Sequence, residues 1–128
     1  MIVDTSALIA ILFGEAEAES FAQTILSAGV CRLSVVNQLE LFMVLEHQAK
    51  PDASHQAEAF LRTAGIVLEP VTLQQGAVAR QAFYDFGRGR NRLNFGDCFA
   101  YALAKAMDES LLFKGNDFAK TDVRRARQ

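Results

Sequence analysis

Residues 93–104 read Leu-Asn-Phe-Gly-Asp-Cys-Phe-Ala-Tyr-Ala-Leu-Ala, a stretch that would be apolar on nearly every side of a helix. A helix of this kind is expected to be buried. Its one carboxylate, Asp97, is therefore unusual, because an acid is almost never fully buried unless it is paired or bound to a metal ion. Asp97 is either the partner of an Asn94 helix cap or part of a functional site.

Strand and helix signals alternate on both sides of this stretch. Short apolar runs predict strands at residues 1–3, 30–33, 66–68 and 111–113. Helical periodicity and capping residues predict further helices that begin near Ala7, Glu15, Val35, Pro51 and Thr72. This alternation predicts βαβ units, and hence an α/β fold with a central, mainly parallel sheet covered by helices on both faces.

The composition indicates one globular body. The chain has 128 residues, 51% of them hydrophobic, and no low-complexity run, so a single domain spanning 1–128 is expected. Its longest unbroken apolar run, residues 7–13, is too short to cross a bilayer, and the N-terminus lacks the basic region of a signal peptide. Cys31 and Cys98 fit no metal-ligand spacing and are expected to be buried free thiols. We therefore expect a cytoplasmic protein with no membrane partner.

Charge is distributed unevenly along the chain. Residues 1–79 carry 3 Lys or Arg against 9 Asp or Glu, whereas residues 80–128 carry 10 against 6. Two basic clusters lie in the second part: Arg88, Arg90 and Arg92, then Arg124, Arg125 and Arg127. Such clusters beside an acidic site suit a ligand with a phosphate backbone. The alternative is a solvated loop and a frayed basic tail.

Four acids are predicted to meet at one edge of the sheet. Asp4 directly follows the first strand, Asp117 comes a few residues after the last, and Asp97 lies in the first turn of its helix. Glu40 lies less than two turns into the helix after the second strand, in line with the apolar residues Val36, Leu39 and Met43. That stripe predicts that Glu40 faces inward. Ligands of open parallel sheets bind beyond the carboxyl ends of the strands, where all four acids would lie.

A cluster of four carboxylates predicts a metal site. Without a counter-charge the acids would repel one another, and some would have to take up protons. All-oxygen ligation, with neither His nor Cys nearby, favours Mg²⁺ or Mn²⁺ over zinc. One or two such ions can activate a water and stabilise a leaving oxygen, so hydrolysis of a phosphodiester bond is the predicted chemistry. Each acid also has a structural interpretation, as a turn or cap residue.

Four segments resemble the VapC-type PIN-domain ribonucleases, which are toxins of type II toxin–antitoxin systems. They are Asp4-Thr5-Ser6, the Glu40 helix, residues 93–104, and Leu111-Leu112-Phe113-Lys114-Gly115-Asn116-Asp117-Phe118-Ala119-Lys120-Thr121-Asp122. The resemblance runs from the first strand to the last. It implies a three-layer α/β/α PIN domain with Mg²⁺-dependent endoribonuclease activity, Mn²⁺ substituting. It also implies a homodimer and a cognate VapB-type antitoxin that covers the active site in a larger complex.

The resemblance also implies roles for individual residues. Asp4 and Asp97 would ligate Mg²⁺, and Glu40 and Asp117 would complete the catalytic and metal-binding set, often through water. Four further residues would support the site or contact the phosphate: Thr5, Ser6, Asn116 and Asp122. The segment Ser34-Val35-Val36-Asn37 departs from the small or hydroxylated residues that the family more usually has before the Glu, and Asn37 is expected to alter substrate access.

Two alternatives stay open at this point. A Mg²⁺-dependent phosphatase would use an Asp at a strand end as its nucleophile, but the chain offers neither the second nearby Asp nor the late Lys that such a site commonly uses. A catalytically silent PIN-like module would bind RNA or a partner, although all four acids are present. If RNA is the ligand, the arginines Arg88, Arg90 and Arg92 are expected to contact its backbone.

Overall fold

The computed structural model describes residues 1–48, 50, 52–90 and 92–127. Within these residues the strands are β1 (Ile2–Val3), β2 (Arg32–Ser34), β3 (Val67–Glu69) and β4 (Leu111–Leu112). The helices are α1 (Thr5–Leu12), α2 (Ala18–Ser27), α3 (Val35–His47), α4 (Ala53–Thr63), α5 (Leu73–Phe86) and α6 (Phe95–Met107). No helix in the described part of the chain is long and apolar enough to span a membrane.

The four strands form one sheet in the order β3-β2-β1-β4, and every neighbouring pair is parallel. Ile2 on the central strand β1 pairs with Arg32 on one side and Leu111 on the other. All carboxyl ends therefore lie at the same edge of the sheet. The predicted α/β fold with a parallel sheet is confirmed.

Side chains alternate across the sheet and divide the core in two. Val3 and Leu112 point to one face, where they pack in a core with residues of α1 to α4. Their neighbours Ile2 and Leu111 point to the opposite face, in a second core built with α5 and α6. Both faces of the sheet are covered by helices, which gives the expected three-layer α/β/α arrangement.

The last described residues continue the sheet beyond β4. The Leu111 backbone N–H donates to the Arg124 carbonyl at 2.8 Å, and the Ala126 N–H donates to the Leu111 carbonyl at 2.8 Å. The Arg125 guanidinium also lies 4.4 Å from the centre of the Phe113 ring. Residues 124–126 are thus paired with an edge strand, and the alternative of a frayed basic tail is wrong for them.

Local capping sets several helix starts. Asp4 caps α1, which begins at Thr5 and not at Ala7, because the Asp4 carboxylate accepts the Ser6 backbone N–H. Ser34 and Thr72 accept backbone N–H groups at the starts of α3 and α5, which agrees with the predicted starts near Val35 and Thr72. The predicted start of α4 at Pro51 lies outside the described residues.

The predicted inward stripe of α3 is wrong. The buried residues of this helix are Asn37, Leu41 and Leu45. Leu39 and Met43, by contrast, are 62% and 53% exposed. Helix α3 carries apolar side chains on two faces, and periodicity alone does not reveal which of them packs on the sheet. Glu40 lies beside the exposed face, half-buried, and not within the core.

Candidate active site

The four predicted acids line one cavity of about 210 Å³ at the carboxyl edge of the sheet. The cavity lies between the start of α1, the middle of α3, the start of α6 and the loop after β4. It is lined by Asp4, Thr5, Ser6, Ile9, Glu40, Val44, Asn94, Asp97, Lys114, Asp117 and Phe118. The topology therefore brings together side chains that are far apart in sequence.

Only one of the two carboxylate oxygens of Asp4 forms hydrogen bonds with described residues. Its Oδ2 accepts the Ser6 backbone N–H at 3.0 Å and the Ser6 hydroxyl at 2.5 Å. The Ser6 Oγ in turn accepts the backbone N–H of Lys114 at 3.0 Å, which links the loop after β4 to α1. Asp4 Oδ1 is buried and has no hydrogen-bond partner among the described residues. A buried carboxylate oxygen in this state is suited to receive a cation or a water.

Asp97 combines a capping role with its place in the cavity. Its backbone N–H donates to Asn94 Oδ1 at 2.8 Å, and its Oδ2 accepts the Asn94 backbone N–H at 3.0 Å. These two bonds form a complete capping box at the start of α6. Because the box is made through Oδ2, capping does not use the whole carboxylate. The capping and site interpretations of Asp97 are therefore compatible.

Burial and mutual repulsion make the charged forms of two acids unfavourable. The pKa of Asp97 is raised from 3.8 to about 7, mainly by burial; the negative charges of Asp4, Asp117 and Glu40 contribute to this shift, and the Asn94 N–H opposes it. Burial also raises the pKa of Asp4 to about 6, although the Ser6 hydrogen bonds oppose this shift. A cation in the cavity would relieve the cost of both charges.

Glu40 packs against a glycine at the start of α6. A Cβ atom added to Gly96 would lie only 2.0 Å from Glu40 Oε2, so no larger residue fits there without displacing the carboxylate. Glu40 Oε1 accepts the Asn37 side-chain amide at 3.3 Å. Glycine at position 96 therefore leaves the space that the Glu40 carboxylate occupies beside the start of α6.

Asn37 lies behind the cavity and is fully buried. It therefore does not control substrate access, which the sequence had suggested. Its side-chain amide donates to the Gly96 carbonyl at 3.0 Å, and its backbone carbonyl accepts the Thr5 hydroxyl at 3.0 Å. The hydroxyl of Thr5, expected to support the site or contact the phosphate, is thus engaged in linking α1 to α3. The sequence signal for Asn37 was its position one turn before Glu40.

The three remaining predicted residues lie in different places. Asp117 is exposed and lines the cavity, whereas the exposed Asn116 accepts the Ala119 backbone N–H in the adjacent turn. Asp122 does not line the cavity. Its carboxylate accepts the Tyr101 hydroxyl at 2.6 Å and pairs with Lys105 at 2.9 Å, which ties the chain after the turn to α6.

Lys114 lines the cavity and was not identified from the sequence. Its ammonium group forms ion pairs with Glu15 and Glu17, and the hydrogen bonds to these two carboxylates raise the pKa of Lys114. The expectation that the chain has no late lysine near the acids is therefore wrong. The lysine is, however, paired with two acids outside the catalytic set. Its position directly after the strand predicted at residues 111–113 was the available signal, because that is where the sheet edge lies.

The arginines Arg88, Arg90 and Arg92 lie on the exposed loop between α5 and α6. The Arg88 guanidinium lies 5.7 Å from the centre of the Tyr84 ring, and Arg92 borders an apolar groove between α5 and α6. The loop leads to Asn94, which lines the acidic cavity. The structure therefore places this basic loop beside the cavity and not inside it.

The donor set of the cavity fits a hard divalent cation. Four carboxylates, an orphaned buried oxygen on Asp4 and two raised carboxyl pKa values all favour added positive charge. Within the described residues, no three acid, His or Cys side chains converge closely enough to hold one ion unaided. Mg²⁺ is commonly held by one or two carboxylates and several waters, so this looser arrangement suits it.

Comparison with solved structures supports the same fold. VapC20 of Mycobacterium tuberculosis, described as a toxin that cleaves the sarcin–ricin loop, aligns with a TM-score of 0.77 at 21% identity, over 99% of this chain and 98% of that one. A toxin–antitoxin complex from Klebsiella pneumoniae contains a chain that aligns with a TM-score of 0.70 at 15% identity, over 94% and 92%. At these identities the likeness concerns the fold alone.

Comparison of sequences identifies the family. The PIN-domain family model matches residues 1–124. Ribonuclease VapC28 of Mycobacterium tuberculosis is 49% identical over 98% of this chain and 97% of its own length. Ribonuclease VapC42 of the same species is 41% identical over 98% of both chains. The match covers nearly the whole chain and the acidic cavity lies within it, so this protein belongs to the PIN-domain family and, within it, to the VapC-type ribonucleases.

Proposed function

We propose that this protein is the toxin of a VapBC-type toxin–antitoxin system and acts as an endoribonuclease on RNA phosphodiester bonds. The observation that carries the proposal is the meeting of Asp4, Glu40, Asp97 and Asp117 in one cavity of a chain that is 49% identical to VapC ribonucleases. VapC-type PIN domains generally depend on divalent metal ions. We propose Mg²⁺ as the ion, with Mn²⁺ as a substitute, and residues 1–128 as a single PIN domain in the cytoplasm.

The four acids would hold the ion, with Asp4 and Asp97 as its direct ligands and Glu40 and Asp117 acting in part through water. When bound, a divalent ion lowers the pKa of a water and stabilises charge on a leaving oxygen. Hydrogen bonds within the protein orient the carboxylates of both Asp4 and Asp97. Ser6 fixes one oxygen of Asp4 and Asn94 fixes one oxygen of Asp97, so each carboxylate has a set orientation before any ligand arrives.

Residues around the acids would guide the RNA. The exposed arginines Arg88, Arg90 and Arg92 would contact the backbone from the loop that leads to Asn94. Lys114 adds a positive charge to the cavity lining. Its ammonium group also forms ion pairs with Glu15 and Glu17. Asn116 would act by holding the turn that carries Asp117, through the bond from the Ala119 N–H to its backbone carbonyl, while Thr5 and Asp122 would act by supporting the helices.

We further propose a homodimer and a VapB-type antitoxin as partners. The Klebsiella pneumoniae neighbour is a toxin–antitoxin complex, which supports the antitoxin. An exposed apolar surface supports the homodimer. Leu39 and Met43 on α3 lie beside Phe95, which is 75% exposed, in the lining of one groove. Soluble monomers rarely leave large apolar patches uncovered, so a second copy is the proposed occupant.

The test of the proposed activity is mapping of RNA ends after cleavage by the wild type and by Asp97→Asn. We expect cleavage to fall by about 10³-fold, because the neutral amide removes charge where the cation would bind. The variant keeps an oxygen that can accept the Asn94 N–H, so α6 should remain folded. Asp85→Asn, on the exposed part of α5, is the matched control and should cleave normally.

A parallel assay with purified protein separates metal dependence from expression effects. Chelator should stop cleavage by the wild type, and added Mg²⁺ or Mn²⁺ should restore it. Equal cleavage by wild type and Asp97→Asn, or cleavage that ignores the chelator, would contradict the proposed function. Growth arrest on expression that disappears with Asp4→Ala would identify the protein as a toxin in the cell.

A further inference from the structure

We infer that Asn37 is a positioning residue whose buried amide fixes the Glu40 carboxylate relative to the start of α6, and so sets the spacing of Glu40 and Asp97 in the cavity. The inference rests on the proposed function, in which these two acids share one site. It concerns a side chain that itself does not line the cavity and so acts only through its neighbours.

The contacts of Asn37 join the helices that carry the acids. Its Nδ2 donates to Glu40 Oε1 at 3.3 Å within α3 and to the Gly96 carbonyl at 3.0 Å at the start of α6. Its backbone carbonyl accepts the Thr5 hydroxyl at 3.0 Å from α1. One fully buried residue thus bonds to the residue after Asp4, to Glu40 itself and to the residue before Asp97.

Glu40 and Gly96 pack closely, with no space between them for a larger side chain at position 96. A Cβ atom at position 96 would lie 2.0 Å from Glu40 Oε2 and 2.5 Å from Glu40 Cδ, so the carboxylate packs directly against the glycine. The Glu40 and Asp97 carboxylates line the same cavity and repel each other, and an attractive contact between α3 and α6 opposes that repulsion. The Asn37 amide supplies that contact on both sides.

An asparagine suits this position for a chemical reason. Its NH₂ group offers two donors on one atom, and the two neighbouring groups, a carboxylate and a carbonyl, are both acceptors. A serine or threonine hydroxyl has one donor, and an aspartate has none. Asn37 Oδ1 is buried, and no group in the described part of the chain forms a hydrogen bond with it. Because such an oxygen is unfavourable, the residue is better explained by what its NH₂ group does than by packing.

The inference is tested by Mn²⁺ binding to the full chain, measured by titration calorimetry. Asn37→Ala should weaken binding about tenfold, the lower end of what loss of a residue that orients a metal ligand costs. In a Glu40→Ala background the same substitution should have no further effect, because the residue it orients is gone. Leu41→Ala, on the core side of α3, is the control: it should lower the unfolding temperature and leave Mn²⁺ affinity unchanged.

A loss that is equally large in the Glu40→Ala background would overturn the inference, and so would unchanged Mn²⁺ affinity in Asn37→Ala. If the wild type itself binds no Mn²⁺, the proposed function fails, and NMR of the metal-free protein then decides the positioning role. The Asn37 side-chain amide protons should be protected from hydrogen exchange, and the Glu40 carboxyl carbon should shift in Asn37→Ala. Rapid exchange of those protons, or an unmoved Glu40 signal, would contradict the inference.

Discussion

Helices α6 and α3 each carry one acid into the cavity, but they do so in different ways. Helix α6 is buried along most of its length, and its acid lies in the first turn, where a capping box orients it. Helix α3 buries one apolar face and exposes another, and its acid lies mid-helix, oriented by Asn37 and Gly96. The orientation of Asp97 therefore depends on local sequence, whereas that of Glu40 depends on a contact between two helices.

The largest effect on this comparison is expected from Gly96→Ala, which acts where the two helices meet. The new Cβ would occupy the position of the Glu40 carboxylate, so Glu40 must move. We expect RNA cleavage to fall by about 10²-fold, the effect of a misplacement near 1 Å, with little change in the unfolding temperature. The measurements are initial cleavage rates and thermal unfolding.

A matched glycine on another helix provides the control for that substitution. Gly76 lies in α5, and a Cβ added there meets nothing within 4 Å. Gly76→Ala should leave cleavage unchanged and stabilise the fold by about 0.5–1 kcal/mol, because alanine favours a helix. Full activity of Gly96→Ala would show that Glu40 is not constrained by α6, and the contrast between the two helices would not hold.

The second expected effect concerns pH and the acids held by local capping. The pKa of Asp97 is 3.8 when unfolded and about 7 when folded, so the folded state binds this proton more tightly. The stability it provides is fully present below about pH 4 and is lost as the pH rises through about 7. Asp4 behaves alike, with a folded pKa of about 6. Metal-free wild type should therefore unfold more easily at pH 8 than at pH 5.

Urea unfolding in chelator at these two pH values measures the effect. The Asp97→Asn variant should be more stable than the wild type at pH 8, on the order of 1–2 kcal/mol, and the difference should shrink at pH 5. Divalent-ion affinity should fall by up to about tenfold per pH unit below 7, since each ion must displace a proton. A wild type that is equally stable at both pH values would show that these acids are not desolvated.

A smaller effect is expected from the loop that precedes α6. Replacing Arg88, Arg90 and Arg92 together with glutamine should weaken RNA binding and reduce the slope of log affinity against log salt by up to about three. Binding measured at several salt concentrations gives the slope. Lys120→Gln is a control: its amino group bonds to the Arg90 carbonyl at the same loop, and its loss should change the slope by about one at most. An unchanged slope in the triple variant would exclude these arginines from the interface.

The smallest effect on the fold is expected on the exposed face of α3. Leu39→Ser should change the free energy of unfolding of the monomer by less than about 0.5 kcal/mol, because the side chain is already 62% exposed. If this face contacts a second copy of the chain, Leu39→Ser should weaken that contact. The molar mass measured by light scattering should then fall toward that of a monomer. A wild type that is monomeric at high concentration would contradict the proposed homodimer.

Much of the fold and part of the site could be predicted because the signals are local. Asp4 and Ser34 end strands and cap helices, and Asp97 forms a box with Asn94 three residues away. Parallel strands then bring such ends to one edge without further information. The capping interactions join residues that are close in the chain, so a sequence pattern can predict them.

The other features of the fold and site depend on packing between distant segments, which the sequence of one segment does not reveal. Periodicity predicted that the stripe of Val36, Leu39 and Met43 faces inward, whereas the buried residues of α3 are Asn37, Leu41 and Leu45. The contacts of Asn37 with Gly96 and of Asp122 with Tyr101 join residues 59 and 21 positions apart. Lys114 was missed because its role in the cavity lining follows from where the loop after β4 is placed. In each case the partner is chosen by the tertiary structure.

Asp97 both completes the capping box of α6 and lines the acidic cavity. This combination has a consequence for how a mutation could remove the toxicity of the protein. Aspartate and asparagine codons differ by one nucleotide, and asparagine at position 97 would keep the oxygen that caps α6. A single mutation could thus leave a folded chain that still occupies its antitoxin but no longer cuts RNA. Loss of toxicity by this route would not require loss of the fold.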